Sequence, residues 1–181
     1  MFSLLIPGGE FWNETTEEFI YGKAQTLSLE HSLVSLSKWE SKWNKPFLTK
    51  QDHSRVETVD YIRCMTLTQN VELSVYDRIT TAQISAVNKY MNLPMSAAVF
   101  NVREQKKNYN EFVTAETIYY WMITYGIPFD PCQKWHLNRL FALIRFCSVK
   151  NNPGKKMSKK EILANNAAVN AARRKKYQTT G

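Results

Sequence analysis

Apolar and polar positions along this chain follow a period of two at the start and a helical period afterwards. Leu4 and Ile6 alternate with their neighbours ahead of Pro7-Gly8-Gly9. Phe19 and Tyr21 alternate, and so do Leu27 and Leu29, with Gly22-Lys23 placed between the two runs to reverse the chain. This pattern predicts an extended segment over residues 1–30 containing a small β-hairpin with its turn at Gly22-Lys23.

Helical spacing takes over from residue 32. Ser32 is placed to cap a helix reaching about Asn44, with Leu36, Trp39 and Trp43 on one face and Pro46 beyond its end. Ser54 and Glu57 form a capping box, followed by Val56, Val59, Ile62 and Met65 at intervals of three. Thr80 and Gln83 form a second box, flanked by Ile79 and Ile84 as a hydrophobic staple, for a helix running to about Asn92 before Pro94. The polar stretch from Val102 to Phe112 reads as an exposed loop. Thr114 caps a further helix through Tyr125, which Gly126 closes. Asp130 and Pro131 then stand as N-cap and first residue of a helix to about Val149, so that the two form an αα-hairpin. Trp135, Leu137, Leu140, Phe141, Leu143, Ile144 and Phe146 make this last helix apolar nearly all round, the pattern of a central buried helix.

The end of the chain has a different character. Residues 150–157, with Asn151-Asn-Pro-Gly154, read as a hinge. Ser158 and Glu161 form a third capping box, with Met157 and Ile162 as its staple, for a helix to about Lys176. Its apolar stripe is thin: Ile162, Val169 and otherwise alanine. The predicted fold class is mainly α with a small N-terminal β-hairpin. A helical globular domain over 1–149 (extended to 30, helical from 32) precedes a basic helical tail over 158–181.

Charge sharpens that division. The formal net charge is +8, from 24 Lys and Arg against 16 Asp and Glu. Nine of the basic residues and one acidic residue lie at 150–181, leaving fifteen of each sign before them. The domain is neutral and the tail carries the whole excess. Aromatic residues make up 13% of the chain, and their clustering at helical spacing marks core rather than base-stacking platforms, for which a neutral domain also lacks the electrostatic attraction.

The residue types that carry chemistry do not fall into catalytic patterns. The sequence has no phosphate-binding glycine loop, nucleophile elbow or zinc-protease motif. His31, His53 and His136 do not stand at zinc-ligand spacing from other ligand types. Cys132, near Lys134 and His136 at a predicted helix start, is the one thiol whose surroundings favour a lowered pKa, but no base is placed beside it. Glu57 and Asp60 share a helix and read as a solvated acidic face. An αα-hairpin invites comparison with a DNA-binding helix-turn-helix, but its second helix offers only Lys134, Asn138 and Arg145 as a polar stripe. These observations point to a non-enzymatic protein with neither cofactor nor metal. Cys64, Cys132 and Cys147 are odd in number and lack CxxC spacing, which suits a reducing compartment. Met1–Ile6 lacks the basic start of a signal peptide, and no apolar run approaches the roughly 20 residues of a membrane span. A cytoplasmic protein without membrane contact is expected.

Several segments carry a family resemblance: 27–47 (LSLEHSLVSLSKWESKWNKPF), 61–65 (YIRCM), 118–122 (IYYWM), 134–140 (KWHLNRL), 156–162 (KMSKKEI) and 170–175 (NAARRK). Together they resemble a family encoded in tailed-bacteriophage and prophage genomes, whose members are labelled tail assembly chaperones. The similarity spans nearly the whole chain, with 7–23 and 103–110 as its variable parts. It implies a tail-morphogenesis factor in the bacterial host cytoplasm that holds the long, helical tape-measure protein soluble until the tail tube polymerises. The tape-measure protein is the implied partner, with the major tail protein and self-association as further candidates. A virion structural protein, such as a head–tail connector or a tail-tube-associated subunit, is the alternative. Nucleic acid is disfavoured because the domain is neutral. The expected partner-binding residues are Lys155, Lys156, Lys159, Lys160, Ile162, Val169, Arg173, Arg174, Lys175 and Lys176. A thin apolar stripe flanked by cations suits a helix that orders against an acidic helical surface.

Overall fold

The computed structural model describes residues 1–13, 17–49, 53–98, 112–151 and 159–177. Its architecture is mainly α with a small N-terminal antiparallel β-structure. Two compact units are present, Met1–Cys147 and Ser148–Gly181.

The first unit opens with β1 (Phe2–Ile6), β2 (Gly9–Asn13), β3 (Glu18–Gly22) and β4 (Gln25–Leu29). β1 pairs with β4 from Phe2↔Leu29 to Ile6↔Gln25, and β2 pairs with β3 from Gly9↔Gly22 to Asn13↔Glu18. The register does not slip between the two ladders. They are the inner and outer halves of one long hairpin, narrowed to a waist at Pro7-Gly8 and Lys23-Ala24. The predicted turn at Gly22-Lys23 is therefore corrected: the reversal lies between β2 and β3. Phe19, Tyr21, Leu27 and Leu29 belong to the same side of the hairpin, with Gly22 ending β3 at the edge of the waist.

The waist explains both glycines. A Cβ on Gly8 would lie 2.8 Å from the Ala24 nitrogen and 2.9 Å from the Gly22 oxygen, so only glycine lets the backbones approach. The Arg78 guanidinium lies where a Gly22 side chain would be, and its Nη1 donates to the carbonyl oxygens of Pro7 (2.9 Å) and Lys23 (3.2 Å). Gln83 Nε2 donates to the Leu5 oxygen at 2.7 Å. Gly8→Val should force the strands apart at the waist and cost about 1–3 kcal/mol. A thermal melt should show the loss as a drop of several degrees in Tm; an unchanged Tm would contradict the close approach.

The helices of this unit are α1 (Leu33–Trp43), α2 (Arg55–Met65), α3 (Leu73–Asp77), α4 (Thr81–Met91), α5 (Ala115–Thr124) and α6 (Phe129–Cys132). The unit ends within α7 (Leu137–Asn151). Local chemistry places most helix starts. The Ser32 hydroxyl accepts from the Ser35 N–H, and Ser54 and Thr80 form full capping boxes with Glu57 and Gln83. Thr114 caps α5, and Gly126 follows its end at φ 64°, a left-handed conformation that suits glycine. Asn44 closes α1, also in the left-handed region, with its N–H bonded to the Glu40 oxygen.

The core lies between the inner hairpin and the helices. Leu4, Ile6, Leu27 and Leu29 are buried, and α4 packs on β1. α1 packs against α2 and α5 with Leu33, Leu36 and Trp39 inward. Trp39, Phe47, His53 and Tyr61 form a cluster of ring contacts, with Phe47 stacked on both Tyr61 and His53. Trp39 Nε1 donates to the Glu57 carbonyl at 3.0 Å. Fully burying a large apolar side chain stabilises by about 1.5–3 kcal/mol, so this cluster is a main source of stability.

Three sequence expectations are corrected by the helices. Val56 is 67% exposed, whereas Ile62 and Met65 are buried. Residues three apart fall about 60° short of a full turn, so nine residues carry the direction from Val56 to Met65 half-way round. The long helix does not start at Asp130-Pro131. Asp130 has an extended backbone (ψ 128°), Phe129–Cys132 makes one turn, and α7 begins at Leu137. The intervening backbone is diverted into the isolated bridge Ser32↔His136, and the Leu137 N–H donates to the His31 oxygen at 2.7 Å. Nor is α7 buried all round: Leu137, Leu140 and Ile144 form its buried face, while Phe146 is 48% exposed. The predicted loop over 102–111 lies outside the described residues, and Phe112 is exposed.

Candidate partner-binding surfaces

The second unit contains α8 (Lys159–Tyr177), nineteen residues long. Its sequence explains a helix sustained with little burial. Ala164, Ala167, Ala168, Ala171 and Ala172 have the highest intrinsic helix propensity, and Arg173 to Lys176 place cations where the helix dipole is negative. Every α8 side chain that the structure describes is exposed, including Leu163, Val169, Arg173, Arg174 and Tyr177.

Of the expected partner-binding residues, Val169 and Arg173 stand one turn apart on the same face of α8, and Arg174 is its neighbour. Lys159, Lys160, Ile162, Lys175 and Lys176 lie on the α8 backbone, but their side chains are outside the described residues. Lys155 and Lys156 are outside them altogether, as are Ser158 and Met157, the first members of the third capping box and its staple. Lys150 and Asn151, the expected start of the hinge, continue α7.

The outer half of the hairpin is a second exposed surface, which the sequence did not single out. Alternation in a pleated ladder puts Glu10, Trp12, Phe19 and Tyr21 on one side of this arm. Trp12 and Phe19 are directly opposite and meet edge to face, with ring centroids 5.1 Å apart. They remain 53% and 70% exposed, and Tyr21 is 73% exposed. An alternating run normally hides one side.

The polar groups inside the first unit are engaged with one another. The Tyr61 hydroxyl lies 2.7 Å from His31 Nδ1, and the His31 and His136 rings meet edge to face at 5.3 Å. Burial, with His136 beside it, lowers the His31 pKa to about 3, so the ring is neutral. Burial also lowers the His136 pKa. His136 Nε2 lies 3.3 Å from the Tyr90 oxygen, while the Tyr90 hydroxyl donates to Glu30 at 2.7 Å. The Met1 ammonium pairs with the same carboxylate at 2.8 Å. His53 Nε2 lies 2.9 Å from the Phe47 oxygen.

Glu40 is a buried carboxylate that joins distant segments. It accepts from the Phe47 N–H at 2.9 Å and from the Ala115 N–H, in the first turn of α5, at 2.7 Å. Burial raises its pKa despite these two bonds. Glu57 and Asp60 are not the solvated acidic face the sequence suggested. Glu57 pairs with Lys45 and with the Ser54 N–H, which lower its pKa to about 2. Burial opposes ionisation of Asp60, but hydrogen bonds from Lys42 and Trp43 Nε1 outweigh it and hold its pKa below the ordinary carboxylate value. Burial pushes the Cys132 thiol up, the reverse of activation, and Lys134 pairs instead with Asp130. Asn138 Nδ2 donates to the Met91 and Leu93 oxygens, so it anchors α7 to the end of α4 and does not face outward as a base reader would.

Among the described residues no three His, Cys, Asp or Glu side chains are grouped to hold a metal ion, and no helix is long and apolar enough to cross a membrane. Comparison of the chain with protein-family models, with curated proteins and with solved structures finds no match.

Proposed function

We propose that this protein is a non-enzymatic bacteriophage assembly factor, a tail assembly chaperone that engages the tape-measure protein in the host cytoplasm through α8. The observation that carries this reading is the character of α8: a basic helix of nineteen residues whose described side chains are all exposed. A helix of that length is marginal in water by itself and gains stability from a surface to pack on. Its alanine-rich middle allows close approach to another helix, and its cations favour an acidic one. The family resemblance of the sequence supplies the biological setting, and the neutral first unit supplies a globular body to which the helix is tethered.

Deleting residues 155–181 should abolish co-purification with the tape-measure protein while leaving the first unit folded by circular dichroism. Full retention of the client by the truncated chain would remove α8 from its assigned role. Mass spectrometry of purified virions should find no copies of the protein; stoichiometric copies in mature particles would favour a structural subunit instead.

A further inference from the structure

The outer hairpin arm and α8 have complementary chemistry. Residues 9–22 hold four glutamates, Glu10, Glu14, Glu17 and Glu18, and no lysine or arginine. Along the described part of the arm Glu10 lies near the waist, level with Tyr21, and Glu17 precedes the start of β3 at the other end, with exposed Trp12 and Phe19 between those levels; Glu18, opposite Asn13, adds a charge on the other side. α8 has the matching order: Lys159 and Lys160 at one end, Arg173 to Lys176 at the other, and an uncharged alanine-rich segment over 162–172. The two basic clusters are about 20 Å apart along the helix at 1.5 Å per residue. Glu10 and Glu17 are about 14 Å apart along the strands at 3.4 Å per residue, a difference within the length of Lys and Arg side chains. Alanines at 164, 167, 168 and 171 follow one helical face, leaving room for aromatic rings to approach the helix backbone. Exposed aromatic clusters rimmed by charge mark interaction surfaces.

We propose that the outer hairpin arm is a docking surface for the basic helix α8 of a second copy of this chain. The contact joins unlike surfaces, one arm and one helix per copy, so copies either exchange helices in a closed dimer or add head to tail. Aromatic packing on the alanine face supplies the apolar contact, and the glutamates fix its orientation and make it sensitive to salt.

The test uses two full-length variants in sedimentation velocity. In one, Trp12→Ser, Phe19→Ser and Tyr21→Ser remove the arm's aromatic face; in the other, Arg173→Glu, Arg174→Glu, Lys175→Glu and Lys176→Glu reverse the end of α8. All three arm residues are exposed, and circular dichroism checks that both variants fold. The wild type should self-associate with rising concentration and dissociate with rising salt. Each variant alone should associate at least about tenfold more weakly. Mixed together they should form a 1:1 dimer that grows no further, because one intact arm and one intact helix remain between them. A second arm variant, Glu10→Lys, Glu17→Lys and Glu18→Lys, should regain self-association when combined with the reversed α8 in one chain. A wild type that stays monomeric, variants that associate as it does, or a mixture that gives no complex would each overturn the proposal. These measurements need no phage component, so their outcome is separate from that of the virion and co-purification experiments.

Discussion

Replacing Trp39 with alanine should destabilise the first unit by about 3–5 kcal/mol, the range for deleting a fully buried large aromatic side chain. Trp39 is completely buried and contacts Phe47, His53 and Tyr61, so its removal leaves a void lined by rings that are themselves locked in place. It also strips the Glu57 carbonyl of its indole donor within α2. Urea denaturation followed by circular dichroism measures the effect. Trp43→Ala is the internal control. Trp43 is half-buried and stacks on Trp39, so its loss removes the hydrogen bond to Asp60 and part of a stack, about 1–2 kcal/mol. Equal losses at the two positions would contradict the placement of Trp39 at the centre of the core.

The second large effect is a loss of stability in acid that traces to His31. Its folded pKa of about 3 lies below the ordinary value of 6.5, because burial opposes the charged ring and His136 stands beside it. Above pH 6.5 the ring is neutral in both states and contributes no pH dependence. Below 6.5 the unfolded chain takes up a proton that the folded chain refuses, so stability falls by about 1.4 kcal/mol per pH unit until the folded ring titrates. The loss over the whole window is at most about 5 kcal/mol. His136, also lowered by burial, adds in the same direction. Glu40 opposes them, since a raised carboxyl pKa makes proton uptake more favourable in the folded state. His31→Gln removes the titration. Its stability curve should be flatter than the wild type's between pH 6.5 and 4, whatever its stability at neutral pH. Parallel curves over that interval would show that His31 does not carry the acid response.

These predictions depend on contacts that were unevenly legible in the sequence. Helix starts could be read because a cap is a local event: Ser32, Ser54, Thr80 and Thr114 each act on an N–H three residues away. Helix over the described residues Lys159–Tyr177 could be read for a similar reason, as alanine propensity and a basic last turn are local properties. The hairpin reversal was misplaced because Gly22 resembles a turn residue, whereas its lack of a side chain serves the Arg78 guanidinium. The start of α7 was misplaced because Asp130-Pro131 has the local form of a helix start. What overrules it is pairing between Ser32 and His136, about a hundred residues apart. Glu40 could not be assigned from sequence at all, since the Ala115 N–H it satisfies is 75 residues away. Exposure of Trp12, Phe19 and Tyr21 was hidden for a related reason: alternation shows that residues share a side, but not whether anything covers it.

The unbroken register of the hairpin constrains how its outer half can vary in length. Deleting a cross-strand pair such as Trp12 and Phe19 would preserve pairing with the waist but exchange the two sides of everything beyond the deletion. Deleting two adjacent pairs would shorten the arm and restore the original side. A single deletion in one strand would leave an unmatched residue and a bulge. The arm is thus a ruler graduated in steps of two residues per strand, and length variants that keep an aromatic side should differ by whole steps. Lengthening or shortening it by such steps would move the tip without disturbing the clamp that Arg78 makes at its base.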